Sequence, residues 1–273
     1  MNSENIKKVT NQAIEQLVEV LNAGHSEALT RYLGAMAKFR AYSFLNVLLI
    51  LKQYPNAGRV AGYRTWQSLG RQVRKGEKGI MILAPLFRKI QEKKEESDNS
   101  EEARRLSGFR AVYVWDEQQT TGADLPQIGK ITGDPSVYLE RLEQFVQSKG
   151  IALTYSDAIA PAKGMAENGK ITLLPGQSLA ETFATLVHEL AHSDLHFTDR
   201  RKDTNKRIRE TEAEAVAYVV CTAIGLNPGT GSQDYIGLYG GDSNLLLASL
   251  EYVQTTASHI LDALVVVPQE QAA

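Results

Sequence analysis

A pair of histidines four residues apart most constrains what this chain can fold into. The segment His188–His192 reads HELAH and follows Ser178 and Glu181, whose three-residue spacing is that of a capping box at a helix start. On a helix, residues four apart share a face, so both imidazoles can reach one ion while Glu189 lies beside them. The sequence therefore predicts a helix over 181–195 that carries a metal site, with Glu189 as the catalytic base.

The third protein ligand is expected on a second helix, which begins near Arg209. A catalytic zinc site has three protein ligands and one open position, and Glu210 and Glu214 share one face of this helix. We predict Glu210 as the third ligand of a Zn²⁺ or Mn²⁺ ion, and Glu214 as a carboxylate that orients His188 or His192. The alternative interpretation is that both acids are solvated residues at the start of the helix, where the helix dipole favours carboxylates.

Two neighbouring features of this half bear on the site. His196 lies four residues after His192, and we interpret it as structural because no glycine would let the chain turn back sharply there. The Asn168-Gly169 turn predicts a strand at Lys170–Leu174, which could form the edge to which an extended peptide adds. A metal-bound water of lowered pKa, a base that takes its proton and a strand that could bind the peptide are the parts that metal-assisted peptide hydrolysis requires.

Charge is distributed unevenly along the chain. Residues 1–130 carry 20 Lys and Arg against 14 Asp and Glu, whereas residues 131–273 carry 10 against 18, although the net charge is only −2. Residues 31–88 hold 11 basic residues and a single acid, Glu77. Such a split indicates a nucleic-acid or membrane partner for the basic half alone. No apolar run approaches the ~18 residues that a membrane span needs.

The basic half places aromatic residues beside its cations. A cationic groove lined with stacking platforms is what sequence-independent binding of a single strand requires. The alternative is a basic turn with aromatic residues in the core, and no helix-turn-helix or zinc-finger pattern indicates reading of a duplex. The candidate DNA-binding residues are Arg71, Arg74, Lys75, Lys78, Trp66, Tyr63 and Tyr42.

The pattern of elements indicates an α+β protein of two domains. Helices are predicted at 43–54 and 137–149, and strands at 80–84 and 111–115. A turn-rich stretch at 120–135 is the best boundary, which gives domains at 1–130 and 131–273. The charged stretch 89–105 has no apolar pattern and is interpreted as a hairpin or loop with a solvated surface.

The single cysteine and the N-terminal sequence indicate the compartment. Cys221 excludes an internal disulfide framework, and its apolar neighbours make it a buried core residue. The first residues, MNSE, have no apolar segment behind a basic start, so a secretory signal is not expected. A cytoplasmic protein without a membrane partner is therefore predicted.

Several of these stretches resemble one known family. The segments YSFLNVLL at 42–49, YRTW at 63–66 and QVRKGEKG at 72–79 look like the N-terminal domain of ArdC-type antirestriction proteins from conjugative plasmids, and residues 109–126 continue the pattern. The C-terminal half resembles the family's metallopeptidase domain, itself similar to ImmA/IrrE-type peptidases, through His188–His192 and Glu210–Glu214. The resemblance implies a small α+β domain that binds single-stranded DNA, joined to a minimal zincin-like domain of the HExxH gluzincin type.

The resemblance also implies a function. It indicates an antirestriction protein of a mobile element that covers the entering single strand, with any proteolysis directed at a protein substrate or a restriction enzyme. One alternative is a regulatory metallopeptidase that cleaves a DNA-bound repressor or a protein crosslinked to DNA. A binding module with a structural metal is the other alternative, but a structural site needs no base, and Glu189 is present.

Overall fold

The mixture of helices and strands confirms the α+β class. The computed structural model describes residues 11–19, 26–89, 104–123, 135–226 and 243–264, except for the side chains of residues 26–29, 88–89, 104–106 and 243–244. The chain forms two compact units, one from Met1–Glu15 and Leu48–Leu125 and the other from Gln16–Val47 and Pro126–Ala273. The functional division into 1–130 and 131–273 stays a prediction, and residues 124–134 of the turn-rich boundary lie outside the described residues.

Most elements of the first unit lie in its segment Leu48–Leu125, and the helix α3 begins just before that segment. Residues 11–19 are helical (α1), and the elements that follow α2 (Ser26–Lys38) are α3 (Phe44–Gln53), β1 (Val60–Gly62), α4 (Tyr63–Ser68), β2 (Arg71–Val73), β3 (Ile80–Lys89), β4 (Arg104–Asp116) and β5 (Thr120–Gly122). A short 3₁₀ turn, Glu117–Gln119, joins β4 to β5. The helix predicted at 43–54 and the strands predicted at 80–84 and 111–115 are therefore present.

A long antiparallel hairpin organises the first unit. Strands β3 and β4 pair from Ile80↔Val114 to Lys89↔Arg104, with a bulge after Leu86, and β1 adds to the other edge of β4. Strands β2 and β5 form a separate two-stranded sheet. The outer ends of the charged stretch 89–105 thus extend this hairpin, and its residues 90–103 lie outside the described residues.

The start of the β3–β4 hairpin forms part of the core of this unit. Ile80, Ile82 and Val114 are buried on one face of the strands, and Met81 is buried on the opposite face. Trp66 of α4 fills the same core at 2% exposure. Its indole N–H donates a hydrogen bond to the carbonyl of Trp115 at 2.9 Å, which satisfies the one polar atom of a buried tryptophan.

The second unit contains α2 and the remaining elements. These are α5 (Ser136–Ser148), β6 (Ala152–Tyr155), β7 (Gly164–Glu167), β8 (Lys170–Leu173), α6 (Leu179–His196), α7 (Lys206–Ala223) and α8 (Ser243–Leu264). A 3₁₀ turn, Asp199–Asp203, separates α6 from α7. Helix α6 packs against α5, α7, β7 and β8, while α7 packs against α2 and α8. Cys221 is buried in α7, and burial raises the pKa of its thiol to about 12.

The three-stranded sheet of this unit corrects one prediction. The strand expected at Lys170–Leu174 forms, as β8, but the strand order is β6-β8-β7, so β8 is the central strand and cannot accept a further one. Strand β6 pairs with it in parallel and β7 pairs antiparallel. The edge strand that packs beside α6 is β7. The turn at Asn168-Gly169 joins it to β8 as an antiparallel hairpin, and β6 covers the other edge of β8.

Helix α6 begins at the predicted capping box. The Ser178 hydroxyl accepts a hydrogen bond from the Glu181 amide at 3.3 Å, and the Glu181 carboxylate accepts one from the Ser178 amide at 3.2 Å. Lys163 also contacts Glu181 at 2.9 Å. The hydrogen bonds from Lys163 and Ser178 lower the pKa of Glu181 to about 2. Among the described residues, no helix combines the length and apolar character needed to cross a membrane.

Candidate functional site

Three predicted ligands converge between α6 and α7. The Nε2 atoms of His188 and His192 are 3.0 Å apart, and the Glu210 Oε2 atom lies 3.6 Å from the first and 3.5 Å from the second. One ligand atom from each residue lies within 4.8 Å of the others. The one-turn spacing on α6 supplies the two imidazoles, and the first turn of α7 brings in the carboxylate.

The donor set fits a divalent transition metal. Donors about 2.1 Å from a tetrahedral ion are about 3.4 Å from one another, close to the His–Glu separations here. Two imidazole nitrogens and one carboxylate oxygen suit Zn²⁺ and Mn²⁺. Glu210 is half-exposed and the two histidines are partly buried, so a fourth position on the exposed side can take water or a substrate oxygen.

Glu189 lies on the buried side of the same helix turn. Burial raises the pKa of its carboxyl, and the negative charge of Glu210 adds to this, while His188 and the Ala166 amide oppose it. Gly164 of β7 packs directly on it, because a Cβ there would lie 2.7 Å from Glu189 Oε1. The edge strand therefore holds the carboxylate next to the candidate ligands, and a raised pKa makes this carboxylate a stronger base than an exposed glutamate.

Glu214 lies beside the first histidine. Its Oε2 atom is 3.6 Å from His188 Nδ1, one helical turn after Glu210 on the same face of α7. Burial lowers the pKa of His188, but the contact with Glu214 and the negative charges of Glu189, Glu214 and Glu210 outweigh it and raise the pKa. A carboxylate at Nδ1 favours the tautomer that leaves Nε2 free for a metal.

The second histidine is held by His196 instead of a carboxylate. Their Nδ1 atoms are 2.9 Å apart, and His196 Nε2 is 3.0 Å from Glu212 Oε2. If the Nε2–H of His196 donates a hydrogen bond to Glu212, the unprotonated Nδ1 of His196 accepts a hydrogen bond from the Nδ1–H of His192, which leaves a free lone pair on His192 Nε2. Burial, followed by the positive charge of His188, lowers the pKa of His192 to about 4.

Glu212 anchors this chain of hydrogen bonds, and the sequence patterns did not single it out. Its side chain is fully buried on α7, accepts hydrogen bonds from Arg200 and from the Ser249 hydroxyl, and contacts His196. Arg200 in turn stacks on the Tyr252 ring at 3.8 Å. Burial raises the pKa of Glu212, but the hydrogen bonds from His196, Arg200 and Ser249 outweigh it and lower the pKa. The signal available in the sequence was its position between two other acids on a helix that is otherwise apolar on that side.

The four candidate DNA-binding cations lie together in the first unit, on β2 and the turn after it. Arg71 already has partners within the protein, because its guanidinium donates hydrogen bonds to the Thr120 hydroxyl and to the Ala123 carbonyl. Arg74 forms an ion pair with Glu77 at 2.6 Å. Lys75 and Lys78 are exposed. The turn therefore presents cations to solvent, while Arg71 also fixes β5 against β2.

The three candidate aromatic residues have different environments in the structure. Trp66 is in the core at 2% exposure, with its indole N–H bonded to the Trp115 carbonyl of the hairpin, so the expectation that it stacks on a base is wrong. Tyr63 is exposed and lies edge-on to Trp115, with ring centroids 6.0 Å apart. Tyr42 belongs to the second unit, contacts Phe39, and is half-buried, which raises the pKa of its hydroxyl.

Comparisons with known proteins agree with the sequence resemblance. The model of the N-terminal domain of anti-restriction factor ArdC matches residues 3–115. An uncharacterized protein of Bacillus anthracis, pXO2-81, is 23% identical over 96% of this chain, and the uncharacterized protein y4eC of Sinorhizobium fredii is 25% identical over 70% of it. The chain spans 52% and 66% of the lengths of these relatives.

Two solved structures have a fold similar to that of nearly the whole chain. Crystal structures of the antirestriction protein ArdC from the R388 plasmid, metal-free and Mn(II)-bound, superpose on this chain with TM-scores of 0.54 and 0.55. Each covers 93% of this chain and 97% of its own, at 21% and 18% identity. Such identities show the shared fold. Residues 3–115 are therefore an N-terminal domain of the ArdC family, and the chain as a whole shares the fold of the ArdC antirestriction protein.

Proposed function

We propose that this protein binds single-stranded DNA through its basic N-terminal part, carries a peptidase-like metal centre in its C-terminal part, and protects incoming DNA from host restriction. The observation that carries the proposal is the complete donor set of His188, His192 and Glu210, with Glu189 beside it, in a chain of the ArdC fold. The Mn(II)-bound structure of the R388 protein supports a metal in this fold, and the donor chemistry supports Zn²⁺ or Mn²⁺ here.

Each side chain of the centre has a separate task in this proposal. A bound ion would polarise a substrate carbonyl and acidify a water molecule. His188, His192 and Glu210 hold the ion, and Glu189 takes the proton of the attacking water and later returns it to the leaving amine. The carboxyl of Glu189 suits this task because its pKa is raised towards neutrality. Strand β7, the edge beside α6, is the element that an extended peptide could pair with.

Metal analysis tests the ligand assignment. The double variant His188→Ala/His192→Ala should lose bound zinc or manganese after dialysis, whereas Glu189→Gln should retain it, since Glu189 is not a ligand. Glu210→Ala and Glu214→Ala separate the two acids: the first should lose the ion and the second should bind it more weakly. Stoichiometric metal in the double-histidine variant would disprove the site.

A restriction-protection assay tests the antirestriction role and its mechanism. Wild type should protect DNA from cleavage when it is added before a restriction enzyme. If Glu189→Gln protects equally, protection is by occlusion, which we favour because cations and aromatic residues can cover a strand without chemistry. Loss of protection by this variant, with DNA binding intact, would make protection proteolytic. Absence of protection by the wild type would refute the proposed function.

The second candidate function is a peptidase that acts on proteins bound or crosslinked to DNA. The buried carboxyl of Glu189, held by Gly164 and the Ala166 amide, favours it, because occlusion alone needs no such base. Cleavage of a DNA-bound protein by wild type, and not by Glu189→Gln, would favour this function over occlusion.

A further inference from the structure

We propose that an exposed aromatic face on the β3–β4 hairpin is the base-stacking surface for single-stranded nucleic acid. We call the side chains of Phe87, Phe109 and Tyr113 the aromatic face. The inference rests on the proposed DNA-binding function and deepens it, because it names the surface that contacts the bases. It replaces Trp66, which is buried, with residues that none of the sequence patterns had singled out as DNA-binding.

The three rings share one side of the sheet. Phe109 and Tyr113 are four residues apart on β4, so they point to the same face, about 13 Å from one another along the strand. Phe109 pairs with Pro85 on β3, and Phe87 lies two residues further along that strand, hence on the same face. Their exposed fractions are 57% for Phe87, 56% for Phe109 and 50% for Tyr113.

This amount of exposed aromatic surface on a sheet requires an explanation. Single exposed apolar residues are ordinary, but a contiguous group usually marks a binding surface. A sheet that presents aromatic rings to solvent can stack two or three unpaired bases, since every base has a flat π-face. The spacing of the rings leaves room for more than one base.

The basic turn adjoins this face directly. Gly79 ends the turn and lies against the aromatic side of β4: a Cβ there would be 3.0 Å from both the Trp115 ring and the Tyr113 Cβ. The absence of a side chain at this position therefore lets the turn that carries Lys75 and Lys78 close onto the start of the aromatic face. Cations for phosphates and rings for bases are thus neighbours on one surface.

Charge identifies the kind of partner. The described residues 48–89 and 104–123 contain twelve Lys and Arg against three Asp and Glu, a formal net charge of +9, whereas the sequence of 90–103 is acidic. A polyanion with exposed flat faces, a single-stranded nucleic acid, satisfies both the cations and the rings, whereas a duplex hides its base faces.

The experiment compares stacking and charge variants in one binding assay. The probe is a fluorescent oligothymidylate of about 16 nucleotides, a length that one single-strand site can cover. The double variant Phe109→Leu/Tyr113→Leu keeps apolar side chains but removes the rings, and each base that loses its stack should weaken binding about 5- to 150-fold. Its salt dependence should match wild type, since every cation that neutralises a phosphate is still present.

Three further variants complete the experiment. Tyr155→Leu removes an aromatic side chain that is also 50% exposed but belongs to the second unit, and it should bind like wild type. Lys75→Gln/Lys78→Gln should weaken binding and reduce the slope of log affinity against log salt by about 0.7 for each phosphate that the variant no longer neutralises. The single variant Phe87→Leu removes the third ring and should also weaken binding. Thermal unfolding of every variant, followed by circular dichroism, shows whether any weaker binding arises from misfolding.

The outcomes separate this inference from the function on which it rests. Wild-type affinity in the folded Phe109→Leu/Tyr113→Leu and Phe87→Leu variants would overturn the aromatic face while the proposed DNA binding stands. No binding of the oligothymidylate by wild type at low salt would overturn the proposed function itself. An equal weakening of the double variant on a duplex, or on vesicles of anionic phospholipid, would also overturn the inference, because those surfaces offer no unstacked bases.

Discussion

Replacing Glu212 by Gln tests whether the hydrogen-bonded chain behind the metal centre holds His192 in place. The substitution keeps the shape of the side chain and removes its charge. Glu212 contacts His196, Arg200 and Ser249, so three neighbours lose an ionised acceptor at once. The structure therefore predicts two separable effects, one on stability and one on metal affinity.

The stability effect comes from Arg200. Removing one partner of a buried ion pair typically costs about 3–5 kcal/mol, because the other charge stays buried without compensation. The Arg200 side chain is 10% exposed and keeps its stacking on the Tyr252 ring, so the lower end applies. We expect Glu212→Gln to lower the free energy of unfolding by about 3 kcal/mol in the absence of metal.

The metal effect comes from the tautomer of His192. Without the carboxylate, nothing requires His196 to donate through Nε2, so His192 loses the partner that keeps its own Nε2 unprotonated. Loss of such outer partners typically lowers metal affinity about 10- to 100-fold. This corresponds to about 1.4–2.8 kcal/mol of binding free energy.

Two measurements distinguish these effects. Urea denaturation in a chelator gives the stability of the metal-free protein, and competition with a chromophoric chelator under native conditions gives the metal affinity. Glu143→Gln is the matched control, because this glutamate also accepts a hydrogen bond, from Tyr155 at 2.8 Å, but lies away from the ligands. If folded Glu212→Gln binds zinc as tightly as wild type, the chain does not position His192 and the reasoning is wrong.

Three further predictions concern the surroundings of the centre. Gly164→Ala should cost about 2 kcal/mol in urea denaturation and impair hydrolysis more than metal binding, because the new Cβ would displace Glu189. Ser178→Ala should cost about 1 kcal/mol, measured in the same way, through loss of the cap of α6. The folded pKa of Glu212 lies below its ordinary value of 4.5, so its stabilisation is complete above that pH and lost as the pH falls through the folded pKa. The stability difference between wild type and Glu212→Gln, followed by urea denaturation from neutral to acid pH, should therefore narrow in acid.

Helix periodicity and capping made the convergence of the candidate ligands on α6 predictable. Both depend on residues within a few positions of one another, such as Ser178 with Glu181 and His188 with His192, so the start of α6 and the pairing of the imidazoles follow from local rules. The order of the strands does not follow from such rules. Strand β8 is central because β6 and β7 come back to it from both sides, a long-range pairing that alternation in 170–174 cannot reveal.

Which aromatic residues are exposed also depends on long-range strand pairing. Trp66 and Tyr63 are three residues apart around the start of α4, and composition cannot tell which of them is covered. Only the pairing of β1, β3 and β4 places the indole of Trp66 under the hairpin, where its N–H meets the Trp115 carbonyl. The exposed rings of Phe109 and Tyr113 are part of a strand that reads as buried from its apolar sequence.

The two candidate ligand histidines are positioned by different neighbours, and this bears on which acid would complete the proposed metal site. His188 has its Nδ1 atom against Glu214, and His192 has its Nδ1 atom against His196, so in both rings Nε2 is the free atom. Helix spacing alone leaves Glu210 and Glu214 equivalent, because they share a face of α7. The geometry separates them: Glu210 approaches both Nε2 atoms, whereas Glu214 approaches the Nδ1 atom of His188. An imidazole cannot offer Nδ1 to a carboxylate and to a metal together, so the geometry favours Glu210 as the acid of the proposed donor set, and Glu214 as the acid that would keep His188 in the tautomer that binds.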